Sequence, residues 1–226
     1  HQLKNSVLLL KINMDKFSNY INDLNNYIDK NLSFNDPNNL YDPVKYILQN
    51  GGKRVRPLFT LFISDLLSGK IDNALPAAAS LEIFHNFTLV HDDIMDNAII
   101  RRGVNTINNK WNNNTAILSG DVMLILSYNL LSKYKDQTYI QLSKELNNTA
   151  RLVCEGQQYD IDFSNQQNVQ LDEYFKMIEL KTAELIACSF KFGGIVSEAS
   201  ETNIQNLYKI GKNMGIAFQL EDDYLD

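Results

Sequence analysis

Two cysteines, Cys154 and Cys188, are all that 226 residues contain. That is too few for a disulfide scaffold, and they lack a metal-ligand spacing. They read as reduced core thiols of a cytoplasmic protein. The histidines (His1, His85, His91) do not amount to a zinc site. Basic residues are also in deficit: 21 Lys and Arg against 27 Asp and Glu give a net charge of −6. This argues against nonspecific nucleic-acid binding, which needs a basic surface. It leaves polyanionic substrates open, because carboxylates hold divalent metals and metals hold phosphate.

Long apolar runs are missing too. The best candidate, Thr115 to Leu131, is broken by Asp121 and is polar from Ser127 to Asn129. It falls short of the ~18 uninterrupted apolar residues of a membrane span, so no transmembrane segment is expected, and no signal peptide is evident. The chain opens on His1 rather than Met. Residues 1–13 therefore read as added to the native chain or disordered, with Met14 as the native start. They carry no weight in the fold.

Proline is scarce, and each of Pro37, Pro43, Pro57 and Pro76 suits a helix start or the loop before one. Glycine marks ends at Gly51-Gly52, Gly69 and Gly103, and Asn35 to Asn39 and Asn112 to Asn114 read as loops. Between them, apolar residues recur at steps of three and four, predicting helices over 15–31, 41–50, 57–68, 74–97, 115–133, 136–162, 171–197 and 203–226. No repeat, alternating strand pattern or domain linker interrupts them. The expectation is an all-α, single-domain chain over residues 14–226.

The clearest chemical signal is Asp92-Asp93-Ile94-Met95-Asp96, at the end of a predicted helix. Asp92 and Asp96 share one face a turn apart, where like charges repel. A hard cation would offset that repulsion, and magnesium takes one or two carboxylates, waters and phosphate oxygens. The pattern recurs at Asp222-Asp223-Tyr224-Leu225-Asp226, which disfavours reading it as a solvated acidic helix end. Leu81, His85, Thr88, Asp92 and Asp96 form one stripe, and Gly211, Gly215, Gln219, Asp222 and Asp226 another. The two stripes are expected to face each other across a cavity, with the glycines leaving room for a ligand.

Cations complement these carboxylates. Gly51-Gly52-Lys53-Arg54-Val55-Arg56-Pro57 brings Lys53 and Arg56 to a helix N-terminus, a natural anion site. Arg101-Arg102-Gly103 adds two guanidinium groups suited to phosphate oxygens. Lys181-Thr182 interrupts an apolar helical pattern; alone, Lys181 reads as a snorkelling lysine, His85 as a core histidine and Asp160 as a surface carboxylate. Together, carboxylate and cationic clusters point to two anionic groups, one bound through metal and the other directly.

At these residues the chain resembles the trans-type polyprenyl diphosphate synthases, the family of farnesyl and geranylgeranyl diphosphate synthases. The resemblance runs from about Tyr41 to Asp226, through GGKRVRP, His85 before LVHDDIMD, Arg101-Arg102-Gly103, GQQYD, Lys181-Thr182-Ala183 and FQLEDDYLD, in the family's order. It implies the antiparallel helical bundle of the isoprenoid synthases, with a central active-site cavity, and a homodimer. It implies joining of isopentenyl diphosphate to an allylic diphosphate (dimethylallyl, geranyl or farnesyl) by ionisation, condensation and elimination, with three magnesium ions. By resemblance Asp92, Asp96 and Asp222 bind the metals, with outer-shell help from Asp93 and Asp226. Arg101, Lys181 and Gln219 hold the allylic substrate; Lys53, Arg56, His85 and Arg102 hold isopentenyl diphosphate. Gln157 and Asp160 line the pocket near the metals, and the Lys181 carbonyl and Thr182 hydroxyl stabilise positive charge at the cleaving bond.

Family members continue beyond the second motif, where this chain stops, through helices carrying further lysines. A terpene cyclase shares the first motif but mixes Asn, Ser or Thr and Glu in its second and has no use for GGKRVRP with His85. A noncatalytic regulatory subunit tends to lose carboxylates that are complete here. Phe87 and Thr88 precede Asp92 by about 6–8 Å of helix at 1.5 Å per residue. An aromatic ring at Phe87 would close the floor over a growing tail; the resemblance implies fifteen- or twenty-carbon products for a bulky residue here, with the small Thr88 favouring twenty.

Overall fold

The computed structural model describes residues 2–34, 36–164 and 166–225, with side chains described from Lys16 onward. It is all-α apart from one short hairpin. The helices are α1 (Gln2–Asn31), α2 (Asn38–Gln49), α3 (Val55–Ser68), α4 (Ile71–Met95), α5 (Ile107–Lys110), α6 (Asn113–Leu131) and α7 (Asp136–Phe163). Then follow α8 (Leu171–Ile178), a π-helical turn (Glu179–Ala183), α9 (Glu184–Val196) and α10 (Glu201–Leu225). Strands β1 (Ile100–Arg101) and β2 (Val104–Asn105) pair antiparallel. α1 starts well before the predicted residue 15, running back across residues set aside above.

Proline placement departs from expectation at two positions. Pro43 lies inside α2 and Pro76 inside α4 because both helices start earlier than predicted. Each ring removes one backbone hydrogen bond in the second turn. In α2 the ring is itself buried with Val44, Ile47 and Leu48, and in α4 Asp72 favours the first turn. Asn112, read as loop, accepts the Thr115 amide at 2.9 Å and so caps α6.

The chain divides into two compact units, one of His1–Leu58 with Ala78–Leu130 and the other of Phe59–Ala77 with Leu131–Asp226. The first holds both ends of the GGKRVRP loop, the greater part of α4 with the first carboxylate motif, and the hairpin. Its interior is lined by residues such as Leu24, Leu81, Ile83, Phe84 and Met123. The second holds α7 to α10, with Ile63, Ile186 and Phe190 packed together and flanked by Phe59, Leu207 and Phe218.

In the second unit the predicted helix over 171–197 is one helical path widened at Glu179–Ala183. Such π turns sit where packing or function demands an extra residue in the turn, and this one carries Lys181 and Thr182. Two glycines press on it. A Cβ on Gly156 of α7 would fall 2.3 Å from the Lys181 nitrogen, and one on Gly215 of α10 would fall 2.5 Å from the Ala183 Cα. Gly211 likewise meets the Ala187 Cα at 2.8 Å. Gly211 and Gly215 thus let α10 approach the neighbouring backbone; they do not leave room for a ligand, as their stripe had suggested. The cysteines also divide: Cys188 is buried but Cys154 is exposed, so only one is a core thiol.

Candidate active site

In the first unit, α4 ends on the aspartate motif. Asn97 takes a positive φ of 51°, the Asn97 amide bonds to the Ile94 carbonyl, and the Ala98 amide bonds to the Asp93 carbonyl. This is a Schellman stop with Asn in the left-handed position. It leaves Asp92, Asp93 and Asp96 at the negative end of the helix dipole, where extra negative charge is disfavoured unless cations gather.

The aspartates are not equivalent. Asp93 is buried, at 2% exposure. It accepts a hydrogen bond from Arg101 Nε at 2.6 Å, while Arg101 Nη2 reaches Asp92 Oδ2 at 3.3 Å. Burial pushes the Asp93 carboxyl up, and Arg101 opposes the rise. Asp92 is half-buried and Asp96 exposed. Asp93 therefore ties the hairpin to the helix, with a longer contact from Asp92, and Asp96 is the motif's exposed carboxylate.

Sequence periodicity had not shown this hairpin. Arg102 (φ 53°) and Gly103 (φ 78°) form its two-residue turn, the paired left-handed corner of a type I′ turn. Gly103 thus serves a hairpin, not a helix end. The turn sends the Arg102 guanidinium over the GGKRVRP loop, where Nη1 donates to the Gly51 carbonyl at 2.6 Å. Gly52 takes a φ of 127°, a backbone conformation that side-chain-bearing residues rarely adopt, and the Arg102 guanidinium lies against it.

The loop's three cations separate. Lys53 is exposed. Arg54 is buried and bonds to the Glu82 carboxylate and the Leu48 carbonyl; Glu82 also accepts from Asn86 Nδ2 at 2.7 Å. Arg54 is thus part of the framework. Its partner Glu82, flanked by Leu81 and Ile83, escaped the sequence reading, although a lone acid in an apolar run was a usable signal. Arg56 lies in the first turn of α3, and its Nη1 donates to His85 Nε2 at 3.1 Å. The Arg56 Nε is buried without a hydrogen-bond partner.

Burial, with Arg102 adding to it, pulls the Arg56 guanidinium down to about 10. His85 is held well below 6.5 by burial and then by Arg56, Arg102, Arg101 and Arg54, so its ring is neutral at physiological pH. Arg56, His85 and Arg102 thus form a partly desolvated positive cluster with an open donor, which an anion would complete. Phe87 packs against Phe84 at 5.5 Å and against His91 at 4.8 Å, and the Thr88 hydroxyl donates to the His85 carbonyl.

In the second unit, Lys181 Nζ donates to Asp160 Oδ2 at 2.6 Å, so Asp160 is not the idle surface carboxylate it resembles in isolation. Thr182 Oγ1 donates to Gln219 Oε1 at 2.8 Å. Gln157 has a buried Nε2 without a partner. Asp222 is exposed on α10, and Asp226 lies outside the described residues. Among the described residues no group of three His, Cys, Asp or Glu side chains converges on a ready-made metal cage, and no helix is long and apolar enough to cross a membrane.

Comparison with known proteins identifies the family. Residues 37–226 match the family model for polyprenyl synthetases. A geranylgeranyl diphosphate synthase of Methanosarcina mazei is 35% identical over 221 residues, covering 97% of this chain and 68% of that protein. The crystal structure of a geranylgeranyl pyrophosphate synthase superposes with a TM-score of 0.91 at 44% identity, over 92% of this chain and 64% of that one. A polyprenyl synthase from Caulobacter crescentus, solved with calcium and isoprenyl diphosphate, gives 0.84 at 27% identity, over 91% and 62%. The chain spans about two thirds of the length of the curated relatives it matches. With the family model covering most of its length, and with the aspartate motif, GGKRVRP loop and paired arginines placed as described, the chain belongs to the polyprenyl synthetase family.

Proposed function

We propose that the protein joins isopentenyl diphosphate to an allylic diphosphate, releasing diphosphate and forming a short-chain prenyl diphosphate. The observation that carries this reading is the Arg56–His85–Arg102 cluster, a positive site in which Arg56 and His85 are half-buried, Arg102 is exposed and the Arg56 Nε is open, within the same unit as the aspartate motif. A neutral His85 accepts from Arg56 and holds its guanidinium in place. In this reading Arg56, Arg102, His85 and the exposed Lys53 bind the diphosphate of isopentenyl diphosphate directly. Arg101, Lys181 and Gln219 bind the allylic diphosphate, with Gln157 and Asp160 beside them.

The donor set fits magnesium. Asp92 and Asp96, one turn apart, are two hard oxygen donors at the negative end of a helix, and Asp222 is a third on α10. One or two carboxylates per ion, completed by water and phosphate oxygens, is the coordination magnesium accepts. The related structure solved with calcium and isoprenyl diphosphate is in keeping with a divalent ion here. When bound, magnesium neutralises the diphosphate as a leaving group; by family resemblance three ions do so. The protein's own part is to orient the two substrates and to face the developing allylic cation with oxygen lone pairs, from the Lys181 carbonyl and the Thr182 hydroxyl.

Relatives named as geranylgeranyl diphosphate synthases favour a twenty-carbon product, with Phe87 at the floor of the tail site. The test is to incubate the purified protein with isopentenyl diphosphate, magnesium and each allylic starter in turn, then to chromatograph the dephosphorylated products. Prenyl alcohols of fifteen or twenty carbons are expected. No elongation from any starter at saturating magnesium would overturn the reading.

A further inference from the structure

The second aspartate motif contains a carboxylate with no role so far. Asp223 Oδ1 accepts from Gln219 Nε2 at 2.7 Å, and Asp223 Oδ2 accepts from the Tyr174 hydroxyl of α8. Gln219 Oε1 in turn accepts from the Thr182 hydroxyl in the π turn. All four residues lie in the second unit. Both oxygens of Asp223, which is exposed like Asp222 beside it, are thus engaged by protein donors.

The direction of these bonds follows from chemistry. An ionised carboxylate only accepts and a phenol hydroxyl donates once, so Tyr174 and Gln219 must both donate to Asp223. With its NH₂ committed there, the Gln219 amide can present only its oxygen to Thr182. The Thr182 hydroxyl therefore spends its single hydrogen on Gln219 and shows nothing but lone pairs on its other side. A hydroxyl in that state suits developing positive charge and is poorly suited to donating to a phosphate oxygen.

We propose that Asp223 and Tyr174 are positioning residues which set the polarity of a Tyr174–Asp223–Gln219–Thr182 chain, so that Thr182 acts on the substrate purely as a lone-pair donor. This rests on the condensation reading above. It assigns Asp223 to the protein framework rather than to metal.

Asp223→Asn tests the polarity at nearly constant shape. The new amide can donate to Gln219, whose own amide then turns and donates to Thr182, freeing the Thr182 hydrogen. The expected result is a fall in kcat of roughly ten-fold, the weight of one neutral hydrogen bond, with KM for isopentenyl diphosphate and the magnesium requirement unchanged. Tyr174→Phe should act in the same direction by a smaller factor. In a Thr182→Val background, Asp223→Asn should cost less than about two-fold more, because its route to the substrate is already gone. A raised magnesium requirement, a full further ten-fold loss in the Thr182→Val background, or an unchanged kcat would each overturn the proposal.

A second arm needs no activity. Gln219→Glu sets one carboxylate against another and should lower Tm, whereas Gln219→Glu with Asp223→Asn restores a donor between them and should recover it. A double variant melting no higher than Gln219→Glu alone would refute the chain, even if the wild-type protein proved to condense nothing and the function itself had to be abandoned.

Discussion

Replacing Asp92 and Asp93, adjacent and chemically identical, should have opposite consequences. Asp93 is 2% exposed and accepts a 2.6 Å charge-assisted bond from Arg101 Nε. A hydrogen bond to a charged group contributes about 1.5–3 kcal/mol. The Arg101 side chain is 31% exposed, so water recovers part of that, and about 2 kcal/mol is the expected loss for Asp93→Ala. For a chain of this size that is a fall in Tm of roughly 4–8 °C. Asp92 makes a longer 3.3 Å contact with the same arginine and sits four residues from Asp96, where two like charges repel. Asp92→Asn removes both the contact and the repulsion, so its stability change should lie within about 0.5 kcal/mol.

Activity should rank differently. Asp92→Asn removes a proposed metal ligand and should lower turnover by orders of magnitude in a folded protein. Asp93→Ala acts through a loosened hairpin, and its turnover should recover partly on cooling, as the hairpin re-forms. Melts followed by circular dichroism, with product formation at saturating magnesium, read both quantities. Equal destabilisation by the two variants, or near-normal turnover in Asp92→Asn, would refute the division of labour.

Three further outcomes are expected. Protonation of His85 is disfavoured in the fold, so the stability it contributes is present above 6.5 and lost as pH falls below it. His85→Gln should flatten that limb of a stability–pH profile by at most about 1.4 kcal/mol per pH unit, and an unchanged slope would mean that His85 titrates normally. Gly156→Ala drives a methyl group to 2.3 Å from the Lys181 backbone nitrogen, and chemical denaturation should show a loss of about 1–3 kcal/mol; a neutral result would mean that α7 shifts freely away from the π turn. Phe87→Ala should lengthen the product by one or more isoprene units, read by chromatography of the dephosphorylated chains, and an unchanged distribution in an active variant would place the floor elsewhere.

Which of these features were legible in the sequence follows from how much information each requires. Helix spacing alone places Asp92 and Asp96 on one face, because periodicity depends only on residue number and 3.6 residues per turn. The all-α class follows from the same regularity, sustained over most of the chain. What spacing cannot show is which members of a cluster look inward. Asp93 becomes a framework residue only because a two-residue hairpin returns Arg101 to it, and a pair of two-residue strands is too short to register as alternation. Arg54 and Arg56 are separated by one residue, yet one is neutralised by Glu82 and the other holds His85. Arg54 also takes a positive φ of 50°, which the sequence does not announce.

The glycines carry the same lesson in reverse. As letters on a stripe, Gly211 and Gly215 leave space, and the sequence reading filled that space with a ligand. In the fold the space holds the backbone of Ala187 and Ala183. A missing side chain fixes only how near something can come, and tertiary packing decides what comes. Here the closest approaches by backbone, on Gly156 and Gly215, converge on the π turn bearing Lys181 and Thr182. A turn with one extra residue has no compositional mark, so the sequence shows an unbroken helix over 171–197. The extra residue changes the direction of every later side chain by about 100° relative to an uninterrupted helix. Within the turn, the adjacent Lys181 and Thr182 point to different sides and bond to Asp160 and Gln219 on two different helices, while the apolar residues on either side remain in the core.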